Sequence, residues 1–423
     1  MKILLLYPAS EKGPMLVLAL GMACVAAAAE RAGHAVQVVT LRDRSRAARD
    51  VAGAVQELSP GVVGVSARNV DDQCRERPDL LLDFIRETVA AVRAATDAPI
   101  VLGGAGFSIF PAQALRFCGA DYGIAGDGEQ AFLALVQCLE TGRDPGGMDG
   151  LWIPGREPRA RAARVLNLDG FPLPLPDRHL PLPAPEARAG TFVPVQSRRG
   201  CPLGCAYCST HLIEGRRLRK RNPALVAANM KEYAAAGCRK FFFVDNTFNL
   251  PESYARDLCA AIRDLGVTFR SIVYPGRLSE GLVQEMAAAG CDEVSLGFEH
   301  GDSRMLRALR KRFSPEDVRR DVSALRRCGI RSTGFLLLGG PGETLESARA
   351  ALAFARSLDL DSVKVTAGIR IYPDTPLCRT AEAESGPFAD LLPPSFYLQE
   401  GLGRGLAEIL ERYRELCPNW IWP

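Results

Sequence analysis

The sequence predicts an α/β protein built as two units: a doubly wound parallel sheet, then a partial barrel of six strands with helices between them. Two observations carry that class. Apolar runs of strand length alternate with helix-length stretches through residues 1–145, and the alternation resumes through 191–380. Between the two lies a proline- and arginine-rich segment, 146–190, that supports neither pattern. At 423 residues the chain can hold two or three domains with a substantial core.

In the first unit, Ile3 to Leu6 is an apolar run of the kind that forms a buried parallel strand. An alanine-rich helix follows from Val17 to Ala32, with Gly33 closing it. Strand His34 to Thr40, a helix over Ala47 to Leu58, strand Val62 to Ser66, a helix over Leu80 to Ala95, and strands Pro99 to Leu102 and Tyr122 to Ala125 complete a Rossmann-like order. Ligands of such sheets sit at the carboxyl ends of the strands.

The connector carries Phe171-Pro-Leu-Pro-Leu-Pro-Asp177, which excludes helix and central strand because proline lacks the amide donor. It is expected to be ordered against both neighbours. In the second unit the strands are Val193 to Ser197, Lys240 to Asp245, Thr268 to Val273, Glu293 to Phe298, Thr333 to Leu338 and Ser362 to Ile371. Helices over Pro223 to Ala236, Glu280 to Ala289, Pro315 to Arg327 and Thr344 to Leu358 stand among them. Residues 381–423 form a short carboxyl-terminal segment whose end, Pro418-Asn-Trp-Ile-Trp-Pro423, is apolar enough to dock.

Composition limits the function classes. Apolar residues at 47% and charged residues at 24% are ordinary for a globular protein, and a net charge of +3 demands no nucleic-acid partner. Thirteen cysteines, an odd number spread along the chain, argue against a disulfide framework. Most of them, such as Cys24 among alanines, read as small buried apolar residues. The amino-terminal run is too short for a secretory signal, and no stretch holds 18 apolar residues in a row. A cytoplasmic location is the expectation.

The chemistry is concentrated in Ser197-Arg-Arg-Gly-Cys201-Pro-Leu-Gly-Cys205-Ala-Tyr-Cys208, which follows the first strand of the second unit. Three cysteines spaced C-x₃-C-x₂-C put three soft thiolates on one loop, the ligand type that iron–sulfur clusters take. A four-iron cluster held by three ligands leaves one iron open, and an open iron on a reducing cluster is what reductive cleavage of S-adenosylmethionine (SAM) requires. A zinc knuckle would need four protein ligands, usually in paired sets, and the nearest other cysteine, Cys238, lies beyond an expected helix.

This loop, with the aromatic Tyr207 just before the last cysteine, resembles the signature of the radical SAM superfamily. The resemblance implies a [4Fe-4S] cluster on Cys201, Cys205 and Cys208, and Tyr207 beside the adenine. Val244-Asp-Asn-Thr-Phe-Asn249 resembles the stretch that meets the methionine amino group, implicating Asp245 and Asn246; a capped strand-to-helix turn is the plainer reading. Gly297-Phe-Glu299-His-Gly301 is similar to the family's Gly-x-Glu-Ser-Gly and implies that Glu299 reaches SAM, with His300 departing from the usual serine. Among Arg310-Lys311-Arg312, Lys311 matches a position that meets the methionine carboxylate; a solvated helix end accounts for it equally. Gly339-Gly-Pro-Gly342-Glu-Thr344 resembles a turn beside the adenosine, and could also be a tight turn before a capped helix. Ile371-Tyr372-Pro-Asp-Thr-Pro376 resembles the family's Pro-Gly-Thr-Pro stretch, with Asp374 in place of glycine. Tyr274 and Arg277 are candidates to face substrate or the adenosyl group, although Tyr274 could equally be packing.

The first unit resembles the cobalamin-binding domain fused to such enzymes, through Tyr7-Pro8, Gly33-His34-Ala-Val, Gly64-Val-Ser66, Gly103-Gly104, Asp121-Tyr122 and Gly126-Asp-Gly128-Glu129. That implies cobalamin at Ser66, Arg68, Asn69, Gly103, Gly104, Gly126, Gly128 and Glu129. The Asp-x-His-x-x-Gly motif that supplies a lower histidine ligand is missing, so Arg68 or Asn69 is expected near the lower corrin face and His34 is expected to be structural. The resemblance as a whole implies a radical SAM enzyme, methylating an unactivated carbon through a 5′-deoxyadenosyl radical and methylcobalamin. Cobalamin-dependent cyclisation, ring rearrangement or oxidation, a radical enzyme with an empty first domain, and a non-catalytic cobalamin carrier are the alternatives. A transfer-RNA-modifying enzyme would need further cysteine-rich and RNA-binding domains. The implied partners are a small or lipid-like substrate and an electron donor such as flavodoxin or ferredoxin.

Overall fold

The computed structural model describes residues 1–9 and 17–423. Its first sheet holds β1 (Lys2–Pro8), β2 (Ala35–Leu41), β3 (Val62–Ser66), β4 (Ile100–Gly103), β5 (Tyr122–Ile124) and β6 (Leu151–Trp152), in the order β2-β1-β3-β4-β5-β6. The first five are parallel, and β6 joins β5 antiparallel. Strand order reverses between β1 and β3, which opens a crevice at their carboxyl ends.

β1 shows why the sheet is covered on both sides. Ile3, Leu5 and Tyr7 pack under α1 (Leu20–Arg31) and α6 (Gly128–Thr141). Leu4 and Leu6 pack on the other face, with α2 (Ala47–Leu58), α3 (Leu82–Ala95) and α5 (Pro111–Cys118). A period of two over an unbroken apolar run serves two cores at once. Helix α1 starts at Leu20, later than the expected Val17. Helices α4 (Ala105–Ile109), α5 and α6, and strand β6, were not anticipated from the sequence.

The second sheet is entirely parallel and runs in chain order: β7 (Phe192–Val195), β8 (Lys240–Phe243), β9 (Thr268–Val273), β10 (Cys291–Glu299), β11 (Arg331–Leu338) and β12 (Ser362–Ala367). β7 and β12 do not pair, so the barrel is partial. Val193, Val195, Phe241, Phe243, Phe269, Val294 and Leu296 are buried under helices that include α7 (Pro223–Ala235), α8 (Glu252–Ile262) and α9 (Glu280–Ala288). Alternation therefore turns Phe192, Pro194, Phe242 and Val244 to the concave side.

The last strand is shorter than the expected Ser362–Ile371. It stops at Gly368, whose φ of +86° and close contact with Arg75 turn the chain, and Ile369–Arg370 pairs instead with Phe396–Tyr397. Helix α10 (Ser303–Ala308) leads to Lys311, α11 (Pro315–Arg327) and α12 (Leu345–Ser357) complete the outer layer, and α13 (Pro376–Ser385) follows Tyr372. Helix α14 (Gly403–Leu416) buries Leu406, Ile409 and Leu410 in the same core. Beyond it Ile421 accepts from Val365 N (2.9 Å) and donates to Val363 O (2.8 Å), covering the β12 edge, while Trp420 stacks on Trp422.

The two units share an apolar seam in which Phe107 and Phe110 meet Leu212, Leu309, Ile369 and Leu377. The connector touches both sides: His179 pairs with Glu30 of α1 (2.5 Å), and Pro174 O accepts from Asn229 and Tyr233 of α7. Among the described residues no helix is long and apolar enough to cross a membrane.

Candidate functional site

The cysteine loop leaves β7 through Arg198–Arg199, which pairs antiparallel with Arg219–Lys220. Its path is pinned by backbone bonds: Cys201 N donates to Gly215 O (3.1 Å), Ala206 N to Leu309 O (3.0 Å) and Leu377 N to Ala206 O (2.9 Å). All three cysteines are free and half-buried. Burial pushes the Cys201 thiol up to about 11 and also raises Cys205, so thiolates here need a cationic partner. Among the described residues no three His, Cys, Asp or Glu side chains converge on one ion position. Three soft thiols carried on one loop suit a multi-iron cluster.

Three of the residues expected near SAM come together from three separate elements. Tyr207 Oη donates to Glu299 Oε1 (2.8 Å), and Lys311 Nζ donates to the same oxygen (3.1 Å) while lying 5.4 Å from the Tyr207 ring. Burial works against a charged Lys311, but Glu299 and Tyr207 outweigh it and hold its pKa well above the ordinary lysine value. Glu299 ends β10 with a φ of +61°. A non-glycine residue held there stores on the order of 1–3 kcal/mol of strain, which the surrounding contacts must offset. A carboxylate and an ammonium side by side at a strand end suit the amino and carboxylate groups of an amino-acid ligand.

Other expected SAM residues hold the frame. Asp245 is fully buried and accepts from Ser197 N (2.8 Å), Arg198 N (3.1 Å) and the Ser197 hydroxyl. It fixes the start of the cysteine loop and has no free face for a ligand, a correction to its expected role. Asn246 donates to Glu214 Oε2 (2.5 Å) and accepts from Thr210 (3.3 Å). Gly339 donates to Glu343, whose other oxygen accepts from His300 Nε2 (2.9 Å), and Gly342 donates to Gln399 (2.5 Å). Tyr372 packs between Phe110 and Arg370 in the seam between the two units. Tyr274 is buried with its hydroxyl accepting from Arg312 N (2.9 Å), and the Arg277 side chain is exposed. Tyr274 also lies 5.7 Å from Lys311 Nζ, beside the residues expected near SAM, while the exposed Arg277 is outside the lining of the large cavity.

That cavity holds about 1610 Å³ of empty space, its open mouth included. Seven of the eight residues expected at cobalamin line it: Ser66, Arg68, Gly103, Gly104, Gly126, Gly128 and Glu129. Asn69 does not; it is exposed. Gly104 and Gly126 are also demanded by the backbone, with φ of +103° and +90° and a Cβ that would lie 2.6 Å from Ala67 O and 2.3 Å from Ala163 O. Gly103 has room, its nearest neighbour being Ile124 O at 3.7 Å. An apolar cleft through Leu5, Met22, Val25, Val101 and Phe132 continues beneath the strand ends. The breadth of the cavity and its apolar cleft fit a flat macrocycle with a tail. His34 lies outside it, against the amino terminus.

Glu129 also links the two units. It is 2% exposed and bound by both arms of Arg199, Nη2 to Oε1 at 2.6 Å and Nη1 to Oε2 at 3.0 Å. Beside it Asp127 accepts from Arg199 (3.3 Å), Arg219 and Val165 N (2.7 Å). Burial alone would raise Glu129, but Arg199 more than reverses that and keeps the carboxyl below its usual range. Glu129 thus ties the first unit to the residue two before Cys201. The remaining wall of the cavity belongs to the barrel: Phe192, Pro194, Gln196, Phe242, Val244 and Glu214. Glu214 was not foreseen. It accepts from Gln196 Nε2 (2.8 Å), Gly200 N (2.9 Å) and Asn246, and burial raises its pKa. No spacing rule marks such a residue in the sequence.

The comparisons agree with this geometry. The model for the radical SAM superfamily matches residues 195–355, and that for the B12 binding domain matches 13–136. The chain therefore carries a radical SAM domain and a B12-binding domain. An uncharacterised methyltransferase of Pyrococcus horikoshii is 28% identical, covering 91% of this chain and 84% of its own. A tryptophan 2-C-methyltransferase of Streptomyces laurentii is 27% identical, covering 79% of this chain and 65% of its own. Among solved structures, the radical SAM methyltransferase TsrM from Kitasatospora setae, bound to tryptophan and a SAM analogue, superposes with a TM-score of 0.88 at 23% identity, covering 100% of this chain and 91% of that one. At that identity the likeness speaks for the fold of the radical SAM barrel and its B12-binding partner.

Proposed function

We propose that this radical SAM enzyme is a cobalamin-dependent C-methyltransferase acting on a small-molecule or lipid-like substrate. The observation that carries the reading is the single cavity shared by the strand ends of the B12-binding domain and the concave wall of the barrel. A methyl donor seated on one wall and a substrate on the other would share one enclosed space. With cofactors bound, the cluster supplies one-electron cleavage of SAM and cobalamin supplies the methyl group.

The chain's own residues then have defined tasks. Cys201, Cys205 and Cys208 hold the cluster, and Glu299 with Lys311 orients the amino-acid end of SAM. Arg68 lines the cavity and makes no ion pair among the described residues, so it can face the corrin as a cation. Phe192, Phe242 and Val244 present an apolar wall to substrate, and Glu214 with Gln196 presents the polar groups on that wall. The relatives named as methyltransferases support methyl transfer over other radical outcomes. An electron carrier of the flavodoxin or ferredoxin kind completes the system. The test is turnover of the reconstituted holoenzyme with SAM labelled in its methyl group. Label appearing on cobalamin supports the reading, and SAM cleavage with unlabelled cobalamin contradicts it.

A further inference from the structure

Arg216 and Arg217 stand in a basic run, Arg216-Arg-Leu-Arg-Lys-Arg221, that begins eight residues after the last cluster cysteine. The structure separates these cations into two kinds. Arg219 and Arg221 are buried and committed, Arg219 to Asp127 and Val165 O (2.7 Å), Arg221 to Leu168 O (2.6 Å) and Phe171 O (3.1 Å). Arg216 and Arg217 are exposed, and neither makes an ion pair among the described residues.

Both lie against the cluster loop. Gly215 O takes the Cys201 amide, and Gly200 packs directly on Arg217 O. The Arg216 guanidinium comes within 3.9 Å of where a Cβ on Gly204 would stand. Pro202, between the first two cysteines, is exposed on the loop. The connector arginines are committed: Arg164 donates to Leu212 O (3.0 Å) and Ile213 O (3.1 Å), and Arg161 pairs with Asp374 (3.3 Å) and donates to Ile109 O (2.9 Å). The opposite side of the loop is closed: Arg199 is sealed by Glu129, and Ala206 is buried against Leu309.

We propose that this basic face beside Cys201, formed by Arg216 and Arg217, is the docking surface for a small acidic one-electron carrier. The inference rests on the proposed function, which requires an electron to reach the cluster. It adds where the donor binds and what charge it carries. Exposed arginines without ion pairs hold a positive potential on this face, and its complementarity to an anionic surface acts mainly on the encounter rate. In the encounter one electron passes from the carrier, which is oxidised, to the cluster, which is reduced; no bond forms or breaks.

The test uses the full chain with its cluster reconstituted, and follows bleaching of the cluster absorption in a stopped-flow instrument. Reduced flavodoxin is one reductant, and photoreduced deazaflavin, a small molecule needing no docking, is the other. For Arg216→Glu/Arg217→Glu, the flavodoxin rate at low ionic strength is expected to fall about tenfold or more. Its decline with added salt, present in the parent protein, should vanish. The deazaflavin rate should not change. Arg404→Glu, a reversal on exposed α14, should leave both rates alone. An unchanged flavodoxin rate in the double variant, or an equal loss with both reductants, overturns the docking surface. Failure of both reductants to bleach the parent protein overturns the cofactor assignment and the docking surface with it, and bleaching by deazaflavin alone overturns the docking surface only.

Discussion

Replacing Arg199 by methionine removes the cation that neutralises Glu129 while keeping most of the side-chain volume. Glu129 is then left 2% exposed with no ion pair, and Asp127 keeps only Arg219. Removing one partner of a buried pair costs about 3–5 kcal/mol, far more than an exposed pair is worth. For 423 residues at about 2.1 cal/mol/K per residue, the unfolding entropy is about 0.9 kcal/mol/K, so the melting temperature should drop by about 3–5 °C if the chain unfolds as one unit. The pH dependence has a definite sign. In the parent, Arg199 holds the Glu129 pKa below its unfolded value, so this stabilisation is present above the unfolded pKa and is lost as pH falls through the folded one. In Arg199→Met burial, the largest influence, is opposed only by a backbone hydrogen bond and Arg221, so the Glu129 pKa rises and the variant's deficit should shrink as pH falls. Adding Glu129→Gln to the variant should recover part of the loss. Scanning calorimetry at neutral and mildly acid pH measures all of this. A melting temperature within about 1 °C of the parent at neutral pH, or a deficit that grows in acid, would refute the reasoning.

Lys311→Met leaves Glu299 buried without its cation, so SAM affinity by equilibrium dialysis should fall at least tenfold with iron content unchanged. Gly103→Leu projects a side chain into the open part of the cavity, where the nearest protein atom to a Cβ is 3.7 Å away. Cobalamin retention after desalting should drop sharply while the melting temperature holds. Trp420→Ala removes a largely buried ring from the cover of the β12 edge and should destabilise by about 3 kcal/mol in denaturant titration.

The architecture was legible because its signals are local. β1 is an unbroken apolar run bounded by Pro8, and helices such as α2 and α11 have one apolar face and clear ends, so their predicted bounds match those observed. Helix α5 was legible too, with Pro111 at its first position and left-handed Gly119 closing it, but it was passed over. The site was less readable, because partners distant in sequence decide which motif residues stay free. Glu299 pairs with Lys311, whereas Asp245 and Glu129, equally prominent as motifs, pair with Arg198 and Arg199. Glu214 and His300 act through contacts 32 and 43 residues away, beyond the reach of any spacing rule.

The central claim is that one chain holds both metal cofactors. It is tested most directly by cobalt and iron content per chain after anaerobic reconstitution with hydroxocobalamin, iron and sulfide, for the parent and for Cys201→Ala. The account predicts about one cobalt and about four irons in the parent, with iron lost and cobalt kept in the variant. About four irons without cobalt in the parent, or cobalt lost together with iron in the variant, would contradict it.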